Sequence, residues 1–542
     1  MISSLLWFTA VGPLALAIAG LVSGRAEASA RAGVRLAILA ASAALSIALC
    51  TALSLGLVGP IRTVSLGWQG IGLGIYLDAL SSVMFVLVAF VGLIVILYSR
   101  NYLDGDPGQG RFTRWLCLTL AAVLVLIVSG NLFQMLLAWI ATSLSLNRLL
   151  LFYPKRQAAV LAARKKFVAS RLADACLVAA MLLIYRVVGS LDYAMIFSAA
   201  KTWPTAGAAS GGVHAAAALL VIAALLKSAQ FPMHGWLTEV METPTPVSAL
   251  LHAGVINAGG FLVLRFAGLI SLSAPSLDLL VLVGGVTALF GSVVMLTQTS
   301  VKVSLAWSTI AQMGFMMLEC GLGAFSAALL HIVAHSLYKA HAFLSSGSVI
   351  DLARASWSPS PGGRPHPARM ALTVAAVLIV AVAVGGLFGA SLTTQPGVFA
   401  LGAVLLLGLV HLITQALDER PSLYVLGRVL ALAVVVAVAY FGLQWGAERL
   451  TARSLPPTAP LRGPFDLAII LLVVLAFAAV AVLQGQLPGR AAGTRWLALH
   501  VHLSNGLYVN TVANRLALRL WPNSPSRFAT RELAARLSEG GR

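Results

Sequence analysis

Residues 214–242 read HAAAALLVIAALLKSAQFPMHGWLTEVME, an apolar run from His214 to Leu226 that gives way at Lys227 to a polar stretch with a proline and then resumes as helix-like sequence to Glu242. Proline removes a backbone donor and clashes with the preceding turn, so a break near Phe231 and Pro232 is predicted. In hydrocarbon the free backbone groups of a broken helix survive only where protein or a polar cavity satisfies them. A packing kink with a snorkelling lysine is the plain alternative. A lysine at the break itself favours function.

The run is one of many. The chain has 542 residues, 59% hydrophobic and 10% charged, with mean hydropathy +0.94, well above the roughly 45 to 50% apolar content of soluble domains. Apolar stretches of about 18 to 25 residues recur from end to end, each able to cross about 30 Å of hydrocarbon as a helix. Their unbroken character excludes a barrel, whose strands alternate. The expected fold is an all-α, polytopic bundle of about 15 spans, the interrupted run being span seven. The four cysteines, Cys50, Cys117, Cys176 and Cys320, fall singly in apolar runs, which offers neither a disulfide frame nor a metal knuckle.

A net charge of +19 would suggest nucleic acid in a soluble protein. Here most basic residues fall in alternate loops, among them Lys155, Arg156, Arg164, Lys165 and Lys166 in the inward loop before span six (167–188), and in the tail, as the positive-inside rule requires if the N-terminus is external and the C-terminal tail cytoplasmic. The positive charge then reads as topology, aided by anionic lipid, with no nucleic-acid partner. The first helix lacks the flanks of a cleavable signal and reads as a span. The expected division is a transmembrane core over 1–350, a Pro/Ser/Gly linker over 351–369, peripheral spans over 370–484 and a basic tail over 485–542. Within that tail, segments near Leu507–Leu520 and Phe528–Leu537 read as short amphipathic surface helices.

Span eleven contains HIVAHSLYKAHAF, with His331, His335 and Lys339 at steps of four. Each step turns only about 40°, so the three share one face over roughly 12 Å of rise. A buried charge is costly in lipid, and several on one face mark a hydrated route for protons or ions. Histidine exchanges protons near neutral pH, and lysine does so when desolvated. His341 lies off this ladder. Lys227, His252 in span eight, Lys302 at the start of span ten, and Asp174 with Arg171 in span six add charges at membrane depth. Asp174 and Arg171, three apart, are either a self-neutralising bridge or an arrangement in which Asp174 is the counter-ion of Lys227. Arg265, Arg148 and Glu319 sit nearer span ends and are expected to reach the interface. No histidine pair has a carboxylate at ligand spacing, so no metal or other cofactor is expected in this chain.

The stretch KSAQFPMHGWLTEVMETPTPVSALLHAGVINAGG (Lys227–Gly260), together with KKFVASRLAD (Lys165–Asp174), VKVSLAWSTIAQMG (Val301–Gly314) and HIVAHSLYKAHAFLSSGSVI (His331–Ile350), resembles the antiporter-like subunits of respiratory complex I and of multi-subunit cation/proton antiporters. The resemblance covers about residues 70–350 and implies inverted five-helix repeats, each with a broken helix, around a hydrophilic axis. It makes Lys227 the central lysine, His252, His331 and His335 the connecting histidines, and Lys339 the lysine of span eleven. Two departures stand out. Ile140 follows Trp139 where those pumping subunits carry a glutamate, and span twelve has no charge in its apolar interior.

LAWIATSLSLNRLLLFYPKRQ (Leu137–Gln157) and HLSNGLYVN (His502–Asn510) further resemble the narrower DabB family, the membrane subunits of inorganic-carbon accumulation complexes. That resemblance implies a bacterial inner-membrane, energy-coupling subunit, not itself an enzyme. It would pass protons, or sodium, through Asp174, Lys227, His252, Lys302, His331, His335 and Lys339, with Arg171 and Pro232 in support. The partner it implies is a DabA-like subunit with a zinc site of carbonic-anhydrase type, hydrating CO2 to bicarbonate. A redox-complex or antiporter subunit, and a non-conducting membrane anchor, are the other two readings.

Overall fold

Because lipid offers the backbone no hydrogen bonds, each crossing must close its own, and the apolar runs do so as helices in the computed structural model, which describes residues 7–23, 30–63, 65–206, 211–347, 367–416, 423–458, 463–490 and 493–521. The first part of the chain forms α1 (Val11–Ser23), α2 (Ala30–Val58), α3 (Ala79–Tyr102), α4 (Gln109–Val128), α5 (Leu132–Leu150), α6 (Gln157–Val188) and α7 (Tyr193–Ala206). The middle forms α8 (Gly211–Lys227), α9 (Gly235–Glu239), α10 (Thr245–Ala253), α11 (Ala258–Arg265), α12 (Ala267–Ile270), α13 (Ala274–Met295), α14 (Val301–Gly321) and α15 (Phe325–Leu344). Then follow α16 (Pro367–Leu387), α17 (Pro396–Ala416), α18 (Leu423–Thr451), α19 (Pro464–Arg490), α20 (Thr494–Ser504) and α21 (Val509–Leu520). Among the described residues eight helical segments are long and apolar enough to cross a membrane and five shorter apolar helices accompany them. Adding the more polar α5 and α15 recovers the runs expected from hydropathy. The linker expected at 351–369 lies outside the described residues apart from its last three, which begin α16, and the segment Phe528–Leu537 lies outside them altogether.

Between α2 and α3 the chain makes two short antiparallel pairs, β1 (Ile61–Arg62) with β4 (Tyr76–Leu77) and β2 (Leu66–Trp68) with β3 (Ile71–Leu73). The β2–β3 turn uses left-handed backbone at Gln69 and Gly70, and Gln69 O accepts from Leu191 N at 2.9 Å, which ties this cap to the α6–α7 connection.

One apolar core runs through α1–α15, and a smaller one joins α16, α17 and α18. Small residues set the closest approach. A β-carbon at Gly284 of α13 would stand 2.6 Å from Leu318 N and 2.7 Å from Gly314 O of α14, which is how membrane helices gain contact without a hydrophobic drive.

Three expectations need correction. Helix α6 begins at Gln157, ten residues before the expected span start, so Arg164, Lys165 and Lys166 ride on a 32-residue helix instead of a loop. Span eight is not continuous: at Gly254 (φ −125°, ψ −70°) α10 stops, and a turn of 3₁₀ helix over Val255–Asn257 precedes α11. Arg265 stands at a helix end as expected but is buried in protein instead of exposed there. It is 5% exposed, donates to both carboxylate oxygens of Asp78 at 2.8 and 3.2 Å, and lies over Tyr76 and Phe261. Asp78 also caps α3 by accepting from Ser81 N, so one carboxylate neutralises a guanidinium and closes a helix end.

Removing one partner of a buried pair strands the other charge, at a cost of about 3–5 kcal/mol. Asp78→Ala is therefore expected to lower the melting temperature of the detergent-solubilised protein sharply, and Asp78→Leu with Arg265→Met to recover most of the loss. Melting of the single variant alongside wild type would show that the pair contributes little.

Candidate ion-conduction site

Helix α8 stops at the predicted lysine. After Lys227 the backbone turns left-handed at Ala229 (φ +51°), and α9 starts at Gly235, placing the break at Ser228–His234 around Pro232. The freed groups find partners on neighbouring helices. Phe231 N donates to Thr287 Oγ1 of α13 at 3.0 Å, and Ser228 Oγ donates to Ile256 O, in the second break, at 3.1 Å. The two breaks thus brace each other, and Gly259 permits it, since a β-carbon there would overlap Ser228 Oγ. Asn257 completes the second break by donating to Ala253 O at 3.1 Å and to Ser336 Oγ of α15 at 2.8 Å.

Lys227 is buried, donates to Ser143 Oγ at 2.7 Å, and sits 4.4 Å from the centre of the Trp139 ring. The face of an indole and a hydroxyl stand where a carboxylate would be expected. Asp174 pairs with Arg171 at 2.7 Å; it borders the same indole and lies within electrostatic reach of Lys227, but the structure makes no ion pair between the two. Beside Lys227 is a second ammonium that the sequence reading assigned to a cytoplasmic loop: Lys166, 3% exposed, donating to Ser143 O at 2.8 Å. A small cavity bordered by Lys166, Ser170, Lys227, Trp236, Leu251 and Val255, with room for about one water, leads from the lysines to the second break.

At that break His252 is fully buried, stacks on Phe343 at 4.3 Å, and has no hydrogen-bond partner on either nitrogen among the described residues. The ladder of span eleven forms as expected. His331 and His335 stand 6.0 Å apart, ring to ring, and Lys339, fully buried, donates to Leu305 O of α14 at 3.1 Å. Glu319, expected at the interface, is instead 4% exposed and meets His331 Nδ1 at 3.0 Å. Lys302, at the start of α14, donates to Thr245 Oγ1 at 3.2 Å. Because α14 and α15 run as a hairpin, Lys302, Lys339, His335, His331 and Glu319 follow one another along the seam. Residues 302–319 of α14 measure about 26 Å, most of the hydrocarbon thickness. His341 faces outward, apart from this line.

His234 was overlooked in the sequence. It is fully buried in the first break among Phe231, Phe290 and Trp307, and its signal was its place between Pro232 and Gly235. Below it Lys165 and Glu239 pair at 2.7 Å, and α21 closes over them. Asn510 and Asn514 accept from Lys165 at 2.6 and 2.5 Å and donate to Glu239 at 2.8 and 2.7 Å. The amphipathic helix expected near Leu507–Leu520 therefore lies across the broken helix.

Residues 129–358 match the family model described as NADH:quinone oxidoreductase/Mrp antiporter, TM, and residues 64–113 match that of complex I chain 5 N-terminus. The chain is 42% identical to the "Probable inorganic carbon transporter subunit DabB2" of Halothiobacillus neapolitanus, over 86% of this chain and 83% of that one. It is 38% identical to the DabB protein of Hydrogenovibrio crunogenus over 88% and 89%. NAD(P)H-quinone oxidoreductase chain 5 of Synechocystis is 38% identical over 54% of this chain and 43% of its own. In fold, the chain is similar to the Mrp complex of Dietzia, with TM-score 0.60 at 22% identity over 99% of this chain and 62% of that one.

A β-carbon at Gly235 would overlap Asn510 Oδ1. Gly235→Val is expected to lift α21 and to speed tryptic cleavage at Arg515 and Arg519 by about tenfold, equivalent to ~1.4 kcal/mol of docking free energy. Unchanged cleavage would mean that α21 does not rest on this glycine.

Proposed function

Since the chain belongs to the DabB family of antiporter-like inorganic carbon transporter subunits, we propose that it conducts protons inward and that the energy released drives conversion of CO2 to bicarbonate on a zinc-bearing, DabA-like partner. The observation carrying this reading is the line of buried titratable side chains that begins at Lys227, passes the second break at His252 and follows the α14–α15 seam through His335 and Lys339. Asp174 supplies the negative charge that the missing glutamate would have given, acting across the Trp139 indole; Lys302 lies at one end of the seam and His331, beside Glu319, toward the other.

Two broken helices give the backbone a polar lining at mid-membrane without lipid contact, as conduction requires. One charge crossing 100 mV releases about 2.3 kcal/mol, so an ordinary membrane potential with a pH gradient shifts a hydration equilibrium by roughly one to two orders of magnitude. The chain itself makes and breaks no covalent bond of CO2 in this scheme. Its place is the bacterial inner membrane, with the N-terminus outside and the basic tail in the cytoplasm, where loop charge puts them.

Growth of a carbonic-anhydrase-deficient bacterium in air, with this chain and the zinc protein expressed together, tests the proposal. Growth is expected with the pair, is lost with Lys227→Ala, and is lost with Asp174→Asn. Growth of the Asp174 variant would remove Asp174 from the route. No growth from a well-expressed intact pair would favour an antiporter, a redox subunit or a non-conducting anchor.

A further inference from the structure

Ser143 on α5 receives two lysines from different helices: Lys227 at the end of α8 through its hydroxyl at 2.7 Å, and Lys166 of α6 through its carbonyl at 2.8 Å. All three residues are buried. The other charged groups in reach of this pair are Arg171 and Asp174, both on α6 and bonded to each other. Three cations would therefore share one acid at membrane depth, and the acid is already engaged by the guanidinium. Two unpaired ammonium groups side by side in a low-dielectric interior repel strongly, whereas one ammonium beside one neutral amine does not. An arginine cannot take the neutral form, and a lysine can.

We infer that Lys166 and Lys227 form a single proton-holding pair gathered by Ser143, that Lys166 is a further station on the route, and that the ion passed at this point is a proton and not sodium. The inference rests on the conduction reading above. In the exchange one N–H bond of the ammonium breaks as an N–H bond forms on the neutral amine. The proton crosses by way of the Ser143 hydroxyl or a water in the adjoining cavity, each accepting one proton and releasing another, so the pair keeps one positive charge. Sodium needs a shell of oxygen donors; here the two oxygens of Ser143 are taken by lysines, and the resident positive charge opposes a second cation. The pair also gives a physical account of Ile140: with a lysine as partner, Lys227 can shed its charge to a neighbour without a carboxylate beside it.

The full chain with its co-expressed partner, reconstituted in vesicles, tests this by parallel measurement of pH-dye quenching and radioactive sodium uptake under an imposed potential. Wild type is expected to move protons and no sodium above empty vesicles. Lys166→Met and Lys166→Arg are each expected to lower proton flux about tenfold or more, and Ser143→Ala several-fold, with assembly checked by gel filtration. The arginine variant is decisive, since it keeps charge and hydrogen bonding but cannot release its proton; wild-type flux from it reduces Lys166 to a fixed charge and overturns the inference. Should arginine prevent assembly, the methionine and serine variants decide, and full flux in both overturns it. Sodium uptake matching proton uptake also overturns it. Wild-type vesicles that move neither ion would instead sink the conduction reading itself.

Discussion

Hydrocarbon gives an ammonium group nothing to bond to, and the two hydrogen bonds that Ser143 accepts from Lys166 and Lys227 anchor the polar interior. They fix the end of α8 against α5 and α6, which places the first break. That break leans on Ile256 through Ser228, and so positions the second. The second break is held to α15 by Asn257 and Ser336, one residue from His335. A single serine is thus joined by hydrogen bonds and chain continuity to the histidine ladder. A shift of α5 would be felt along the whole line, because interiors packed to crystal-like density do not absorb displacement locally.

The partners of the buried charges divide into two kinds. Asp78 with Arg265 is a pair of opposite sign that settles where it is. Lys227 on Trp139, Lys339 on a backbone carbonyl and His252 on Phe343 have neutral companions. A neutral companion holds a charge less strongly than an opposite charge does, which suits the proposed route, although His331 on that route meets Glu319 at 3.0 Å.

Much of this was legible in the amino-acid order. The runs, the break after Lys227 and the ladder of His331, His335 and Lys339 all follow from local rules: hydrocarbon thickness, the missing N–H of Pro232 and the helical period. What escaped depends on which helix lies beside which. Lys166 reads as one more basic residue in KRQAAVLAARKK until α6 is seen to start at Gln157. Glu319 and Arg265 look like exposed residues of the span ends until His331 and Asp78 are found opposite them. The interruption at Gly254 carries no proline to announce it, and a lone glycine within an apolar run is common in membrane helices.

The clamp of α21 over α9 joins residues far apart in the chain: Glu239 and Asn510 are separated by 271 positions. At about 5–20 residues per second of synthesis, the half-helix waits on the order of tens of seconds for its cover while the intervening helices enter the bilayer. During that interval the Lys165–Glu239 pair lacks the four amide hydrogen bonds that enclose it. A ribosome stalled before α21 therefore leaves a membrane-inserted product in which the Lys165–Glu239 pair stands without its amide cover, and that uncovered pair distinguishes it from the finished protein.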